Sequence, residues 1–119
     1  MKVYISGAIT GVDNYREIFS AAANKLKDRG CTVYNPADIF DGMPEETTYE
    51  DYMKLSFCLL DITDAIYMLD NWRESNGAIR ELNYALSKCK TVINVDDIKM
   101  SIDKDKGEND EENQSYVAY

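Results

Sequence analysis

A regular alternation of short apolar segments with longer segments of helical period is the feature that most constrains this fold. Four segments rich in β-branched and aromatic residues have the length of buried strands: KVYIS (2–6), CTVYN (31–35), DAIYMLD (64–70) and TVINV (91–95). Apolar residues recur at helical spacing in 14–29, after Thr47 or Thr48, and after Gly77. This order predicts an α/β fold, with a parallel sheet covered by helices on both faces.

The helical periods also predict which residues face the core. Residues 36–51 contain two prolines and a glycine and are predicted to form a loop. In the helix after it, the predicted core residues are Tyr52, Leu55, Leu59 and Leu60, and in the helix after Gly77 they are Ala78, Leu82, Ala85 and Leu86.

Length and charge limit the organisation and the classes of partner. The 119 residues suit one domain, over 1–100, followed by an acidic tail at 101–119 that we expect to be flexible. A net charge of −9 disfavours a nucleic acid polymer as partner. No apolar run approaches the roughly 20 residues of a membrane span, and the start of the chain is typical of a cytoplasmic protein without a signal peptide.

The chain contains no histidine, which excludes Ser-His and Cys-His nucleophile pairs and imidazole metal ligands. Acid–base or nucleophilic chemistry must then come from carboxylates, tyrosines, lysines or cysteines. The three cysteines are far apart and form no CxxC pair, so we expect reduced, mostly buried thiols. Neither a metal nor another cofactor is predicted.

In a parallel α/β sheet, ligands bind at the carboxyl ends of the strands. Three loops meet there: SGAITG (6–11), the loop at Asn35, and DNWRESNGA (70–78). Gly7 and Gly11 allow close backbone approach or a positive φ, and the amides that follow are able to receive a phosphate. A tight turn that binds no ligand explains the same glycines.

The third loop leads into a helix that carries one acid, Glu81. Ser75 or Asn76 caps this helix, and the same amides are able to receive an anionic oxygen. Glu81 is either a solvated surface charge or a group aimed into a pocket, and its neighbours Ala78 and Ala85 are small enough to line one. Trp72 either covers the core or stacks on a planar base.

Asp64 stands at the start of the third predicted strand, preceded by Asp61. Its pattern is that of a helix–strand turn residue whose carboxylate bonds the local backbone. That position would place it away from the ligand crevice.

Together, VYISGAITG, VYNPA, the aspartate before the third strand, and a Trp-Ser-Gly-Ala-Glu pattern over 72–81 resemble the nucleoside 2-deoxyribosyltransferase superfamily. The similarity covers roughly residues 1–95 and is nearest to a small bacterial and phage branch. Relatives include deoxynucleoside 5′-monophosphate N-glycosidases. The resemblance implies a flavodoxin-like parallel sheet of four to five strands, and an active site usually completed by a neighbouring subunit.

The resemblance also implies roles for single residues. Glu81 matches the glutamate that attacks the anomeric carbon, and Tyr4 matches the tyrosine that orients it. Asp64 matches an aspartate used near the leaving base. Ser75 matches the serine that binds phosphate in the monophosphate glycosidases, with Gly7 and Ala8 in the other half of that pocket.

Two departures from the family pattern stand out. Thr10 occupies the position of a phosphate-binding arginine, so phosphate binding would rest on amides, hydroxyls and Arg73 or Arg80. Ile79-Arg80 replaces a small glycine before the glutamate.

The leading hypothesis is a cytoplasmic N-glycosidase or deoxyribosyltransferase that acts on a nucleoside or its 5′-monophosphate. The predicted binding residues are Gly7, Ala8, Gly11, Asn35, Trp72, Ser75, Asn76 and Gly77. The alternative is a protein that binds a small phosphorylated ligand without cleaving it. In either case a homodimer or higher homo-oligomer is expected, because a sheet of this size buries a face against a copy of itself.

Overall fold

A computed structural model describes residues 1–95 and contains the predicted alternation of strands and helices. The strands are β1 (Lys2–Ser6), β2 (Thr32–Tyr34), β3 (Ala65–Met68) and β4 (Thr91–Ile93). The helices are α1 (Tyr15–Asp28), α2 (Pro36–Ile39), α3 (Tyr49–Asp61) and α4 (Asn76–Ser87), with a 3₁₀ turn at Trp72–Glu74.

The four strands form one parallel sheet in the order β2-β1-β3-β4. Val3 of β1 pairs with Val33 of β2 on one side and with Ala65 of β3 on the other. This is the flavodoxin-like order, and it confirms the predicted α/β fold. The chain leaves β1 for β2 at one edge and then crosses to β3, so the direction switches between β1 and β3. A ligand crevice is expected outside the carboxyl ends of those strands.

The sheet divides the apolar interior into two clusters. Val3 and Ile5 pack with Phe19 and Leu26 of α1 on one face. Side chains alternate along a strand, so Tyr4 points to the opposite face. The cluster there contains Tyr4, Leu60, Ile66, Met68, Leu82 and Ala85. Helices therefore cover both faces, as predicted, and each large side chain that is buried contributes about 1.5–3 kcal/mol.

Thr48 caps α3, which begins at Tyr49. Its Oγ1 accepts a hydrogen bond from the Asp51 amide at 3.0 Å, and the Asp51 carboxylate accepts one from the Thr48 amide at 3.0 Å. This capping box satisfies two backbone donors that the helix itself leaves unpaired. Such a cap contributes about 1 kcal/mol.

The prediction of a loop over 36–51 is wrong at its start, and its last three residues belong to the helix predicted after Thr47 or Thr48. Residues Pro36–Ile39 form the short helix α2, and α3 already begins at Tyr49. Proline suits the first turn of a helix, since its fixed φ is helical and no amide is required there. Asn35 supplies the cap, accepting a hydrogen bond from the Ala37 amide at 3.0 Å.

The predicted core face of α3 is also wrong in part. Met53, Ser56 and Leu60 are buried, whereas Leu55 is 37% exposed. Tyr52 and Leu59 are half-buried. The prediction followed apolar residues alone, so it excluded Ser56, a polar residue that faces inward.

The face of α4 differs from the prediction in the same way. Ala78, Leu82 and Ala85 are buried as predicted, but Leu86 is only half-buried and Glu81 joins the buried set.

The expectation of mostly buried cysteines is wrong. Cys58 and Cys89 are exposed, and Cys31 is half-buried. Cys89 lies in the turn after α4, where its φ of +59° is of the kind found at turns.

The acidic tail, its expected flexibility and any fifth strand lie outside the described residues. Within residues 1–95, none of the helices combines the length and apolar character needed to cross a bilayer.

Gly7 is required because the backbone after β1 packs directly on Leu69. A Cβ at position 7 would lie 2.5 Å from Leu69 Cδ1 and 2.7 Å from Leu69 Cβ. We expect Gly7→Ala to lower the free energy of unfolding by about 1–3 kcal/mol, because the added methyl group overpacks the site. Urea unfolding measures this change.

Gly77→Ala is the matched control. A Cβ at Gly77 would meet its nearest neighbours, Met53, Tyr49 and Ser75, at 3.6–3.7 Å, which is ordinary contact. This variant should unfold within about 1 kcal/mol of the wild type, since alanine favours a helix. Equal stability of Gly7→Ala and the wild type would contradict the packing argument.

Candidate active site

A cleft of about 790 Å³ lies at the carboxyl edge of the sheet. It is lined by the loop after β1, by α2 and the segment that follows it, by the first turns of α3, and by the entry to α4. These elements follow β1, β2 and β3, so the cleft lies where the topology predicts a ligand crevice.

Glu81 lines this cleft and is only 8% exposed. The Tyr4 hydroxyl donates to its Oε2 at 2.7 Å, and the Ser6 hydroxyl donates to its Oε1 at 2.5 Å. Tyr4 and Ser6 stand two positions apart on β1 and therefore point to the same face of the sheet. The interpretation of Glu81 as a solvated surface charge is thus wrong, since both oxygens are held by the central strand.

A third hydroxyl completes this buried group. Ser56 of α3 is 3% exposed, and its Oγ lies 3.0 Å from the Tyr4 hydroxyl oxygen. Sequence reasoning missed both Ser6 and Ser56. The available signals were the two-residue spacing of Ser6 from Tyr4, and the position of Ser56 one turn before the buried Leu60.

Burial raises the pKa of Glu81, and the hydrogen bonds from Ser6, Tyr4 and Ser56 offset part of that rise. Burial, followed by the charge of Glu81, raises the pKa of Tyr4 well above its usual range. Tyr4 therefore keeps its proton and remains a donor to the carboxylate.

The hydrogen-bond partners of Glu81 are hydroxyl groups rather than cations. They orient the carboxylate without cancelling its charge, and burial removes much of its hydration. A carboxylate in this state is able to act as a nucleophile or a general base at neutral pH.

At the entry to α4, Ser75 acts as the helix cap. Its Oγ accepts a hydrogen bond from the Ala78 amide at 3.0 Å. Ser75, Asn76 and Gly77 all line the cleft. Capping and contact with a ligand are compatible here, because an accepting hydroxyl still has a proton to donate.

Gly7 and Ala8 also line the cleft. The Ala8 amide donates to the side-chain oxygen of Asn71 at 3.0 Å, so Asn71, a residue that sequence reasoning missed, fixes this loop. Gly11 adopts a φ of +81° and is not among the cleft-lining residues. It makes the turn before α1.

The structure places Asp64 at the amino edge of the sheet, opposite the cleft. Its Oδ2 accepts a hydrogen bond from the Lys2 amide at 2.8 Å, and its own amide donates to the Lys2 carbonyl at 2.8 Å. A catalytic role for Asp64 beside Glu81 within one chain is therefore not supported. Asp64 lies between α3 and β3 as the turn interpretation expected, but its carboxylate bonds the backbone of Lys2 rather than the local backbone.

Asn35 and Trp72 also lie outside the cleft lining. Asn35 is buried as the cap of α2. Trp72 is 4% exposed in the core cluster of α4, with the Arg73 guanidinium 4.5 Å from its ring centre. Trp72 thus covers the core, which was one of its two interpretations.

The arginines expected to assist phosphate binding point elsewhere. Arg80 forms two hydrogen bonds to Glu50, at 2.9 and 3.2 Å, and Arg73 packs on Trp72. Ile79, in the Ile79-Arg80 departure, packs against the core. Among the cleft-lining residues the basic one is Arg16, which donates to Asp41 Oδ1 and to the Ala37 carbonyl, both at 3.1 Å.

A protein-family model matches residues 1–94 and is described as a domain of unknown function (DUF4406). The chain belongs to this family. Searches of curated proteins and of solved structures found no match. The DUF4406 match includes the four strands of the described residues and every residue named above as lining the cleft.

The raised pKa of Glu81 has a consequence for stability. The folded protein binds this proton more tightly than the unfolded chain does, so ionisation of Glu81 destabilises the fold. This cost is absent below the unfolded-state pKa, grows as pH rises through the folded-state pKa, and is complete above it. We expect Glu81→Gln to raise the thermal midpoint at about pH 7 and to change it less at about pH 4.

Glu46→Gln, the same change on an exposed turn residue outside the helices, should leave the midpoint nearly unchanged at both pH values. Calorimetric melting of the three proteins measures these differences. A Glu81→Gln midpoint below that of the wild type at neutral pH would contradict the account of Glu81 as a buried carboxylate.

Proposed function

We propose that the protein is an N-glycosidase or 2-deoxyribosyltransferase that cleaves the N-glycosidic bond of a nucleoside or its 5′-monophosphate. The observation that carries this proposal is the buried Glu81, held by Tyr4 and Ser6 and open to the cleft. The resemblance to the nucleoside 2-deoxyribosyltransferase superfamily supports it, because Glu81 and Tyr4 match the nucleophile of that superfamily and its orienting tyrosine.

In the proposed first step, a Glu81 oxygen attacks the anomeric carbon of the sugar. A carbon–oxygen bond forms, the bond from carbon to the base nitrogen breaks, and the departing base takes the electron pair and a proton. Water then attacks the glycosyl ester in a hydrolase, or a second base attacks in a transferase. Both routes free Glu81 for another cycle.

Asp64 is not placed to protonate the departing base. The other carboxyl groups that line the cleft are Asp41 and Glu74, and they are the candidates for this proton transfer within one chain. The Asp41 carboxylate is already engaged by Arg16, whose guanidinium nitrogen lies 3.1 Å from its Oδ1. Glu74 is therefore the stronger candidate of the two.

The position of Asp64 also favours a second candidate function. A protein that binds a nucleotide without cleaving it needs no proton donor beside the base. Calorimetry followed by chromatography separates the two functions: intact ligand recovered after tight binding supports the binding protein, and its conversion excludes it.

The proposal predicts release of a free base from members of a panel of deoxynucleosides and their 5′-monophosphates. We expect Glu81→Gln to lose at least about 1,000-fold in kcat, because the covalent route requires a carboxylate nucleophile. Glu17→Gln, which removes an exposed acid outside the cleft, should keep wild-type rates. Base release by wild type and Glu81→Gln at equal rates would disprove the assignment of Glu81.

The pH dependence supplies a separate prediction. Since burial raises the pKa of Glu81, the acid limb of kcat/KM should lie above the usual glutamate range. Ser6→Ala removes the hydrogen bond that most lowers this pKa, so the limb should move to higher pH. Ser20→Ala, on the exposed side of α1, is the control and should leave the limb in place. An unmoved limb in Ser6→Ala would contradict the role of Ser6.

The homo-oligomer stays a prediction. If a second copy of the protein completes the active site, the protein must be a dimer or larger assembly at the concentration of the activity assay. Light scattering that finds a monomer at micromolar concentration, together with full activity there, would contradict it.

A further inference from the structure

One side of the cleft is formed by an aromatic wall, the side chains of Phe40, Tyr49 and Tyr52. Phe40 follows α2, and the two tyrosines belong to the first turns of α3. The thioethers of Met43 and Met53 line the cleft beside them. Small residues also line the cleft, among them Gly7, Ala8 and Gly77.

Two of the three rings contact each other across the loop between α2 and α3. The ring centres of Phe40 and Tyr52 are 5.6 Å apart and their planes are inclined by 53°. Both side chains are half-buried. Their backbones are fixed by helical hydrogen bonds, Phe40 to the Pro36 carbonyl at 2.9 Å and Tyr52 to the Thr48 carbonyl at 3.1 Å. This pair therefore presents ring surface to the cleft on a supported backbone.

Tyr49 is 51% exposed, but an arginine of α4 packs on its ring. The Arg80 guanidinium lies 5.5 Å from its ring centre and is itself held by Glu50. A fixed, exposed aromatic ring loses little conformational entropy when a ligand stacks on it.

The aromatic wall adjoins the entry to α4. A Cβ placed on Gly77 would lie 3.6 Å from the Tyr49 hydroxyl and 3.6 Å from the Met53 sulfur. Glu81 follows Gly77 by one helical turn and opens on the same cleft. A ligand on the wall is thus a neighbour of the carboxylate.

We propose that the aromatic wall binds the leaving nucleobase and recognises it by its ring face. This inference rests on the proposed function, which needs a planar base next to the carbon that Glu81 attacks. Aromatic rings and thioethers attract the face of any nucleobase, so the wall accepts purines and pyrimidines alike. The small residues that line the cleft leave room for the sugar.

The test measures binding of deoxyadenosine and thymidine by calorimetry in a Glu81→Gln background, where the ligand stays intact. Adding Tyr52→Leu or Phe40→Leu should weaken binding of both nucleosides by about tenfold or more, because each removes one stacking ring. Adding Tyr52→Phe keeps the ring and should retain the affinity. In proteins with Glu81 intact, the two leucine variants should raise KM more than they lower kcat.

The control is Phe57→Leu, which removes a ring outside the cleft that stacks on Tyr84 at 4.4 Å between ring centres. It should bind nucleosides as the parent protein does. Circular dichroism and urea unfolding establish that each variant is folded.

The possible failures are distinguishable. Wild-type affinity in both leucine variants, with Glu81-dependent base release preserved, overturns the aromatic wall and leaves the proposed function standing. Equal loss in Phe57→Leu also overturns the wall, since the effect would then not come from the cleft. No binding and no base release by the wild-type protein would reject both proposals.

Discussion

The hydrogen bonds from Tyr4 and Ser6 to Glu81 are the interaction on which the candidate site depends. They join the central strand β1 to α4, and they hold both oxygens of a buried carboxylate at 2.7 and 2.5 Å. A buried carboxylate without such donors would be strongly disfavoured. With them it remains able to ionise, although its pKa is raised. These hydrogen bonds fix Glu81 of α4 against the sheet, and the cleft is shaped by that position.

Much of the fold is predictable from the sequence, because it depends on local patterns. Within residues 1–95, the strand segments and helical periods identify the four strands and the α-helices other than α2. The alternation of strands and helices along the chain implies a parallel sheet with helices on both faces. The errors arise where a polar residue faces inward: Ser56 and Glu81 interrupt the apolar stripes of α3 and α4, so the predicted faces are rotated or incomplete.

The site itself is only partly predictable. The crevice rule places Gly7, Ser75 and Glu81 together, and the structure brings all three to one cleft. Contacts between distant segments were not predictable from spacing, because they depend on side-chain direction. Asn71 bonds the Ala8 amide across the two loops, and Arg16 rather than Arg73 or Arg80 reaches the cleft. Asp64 shows the limit of a motif match, since its contacts lie at the opposite edge of the sheet.

The central claim is that Glu81 forms a bond to the sugar. A nucleoside whose sugar carries fluorine beside the anomeric carbon slows breakdown of a glycosyl ester, so mass spectrometry of the trapped protein tests the claim directly. The account predicts a mass increase equal to one fluorinated sugar residue, located on the peptide that contains Glu81 and absent from Glu81→Gln. Base release without any labelled protein, or a label on another residue, would contradict it.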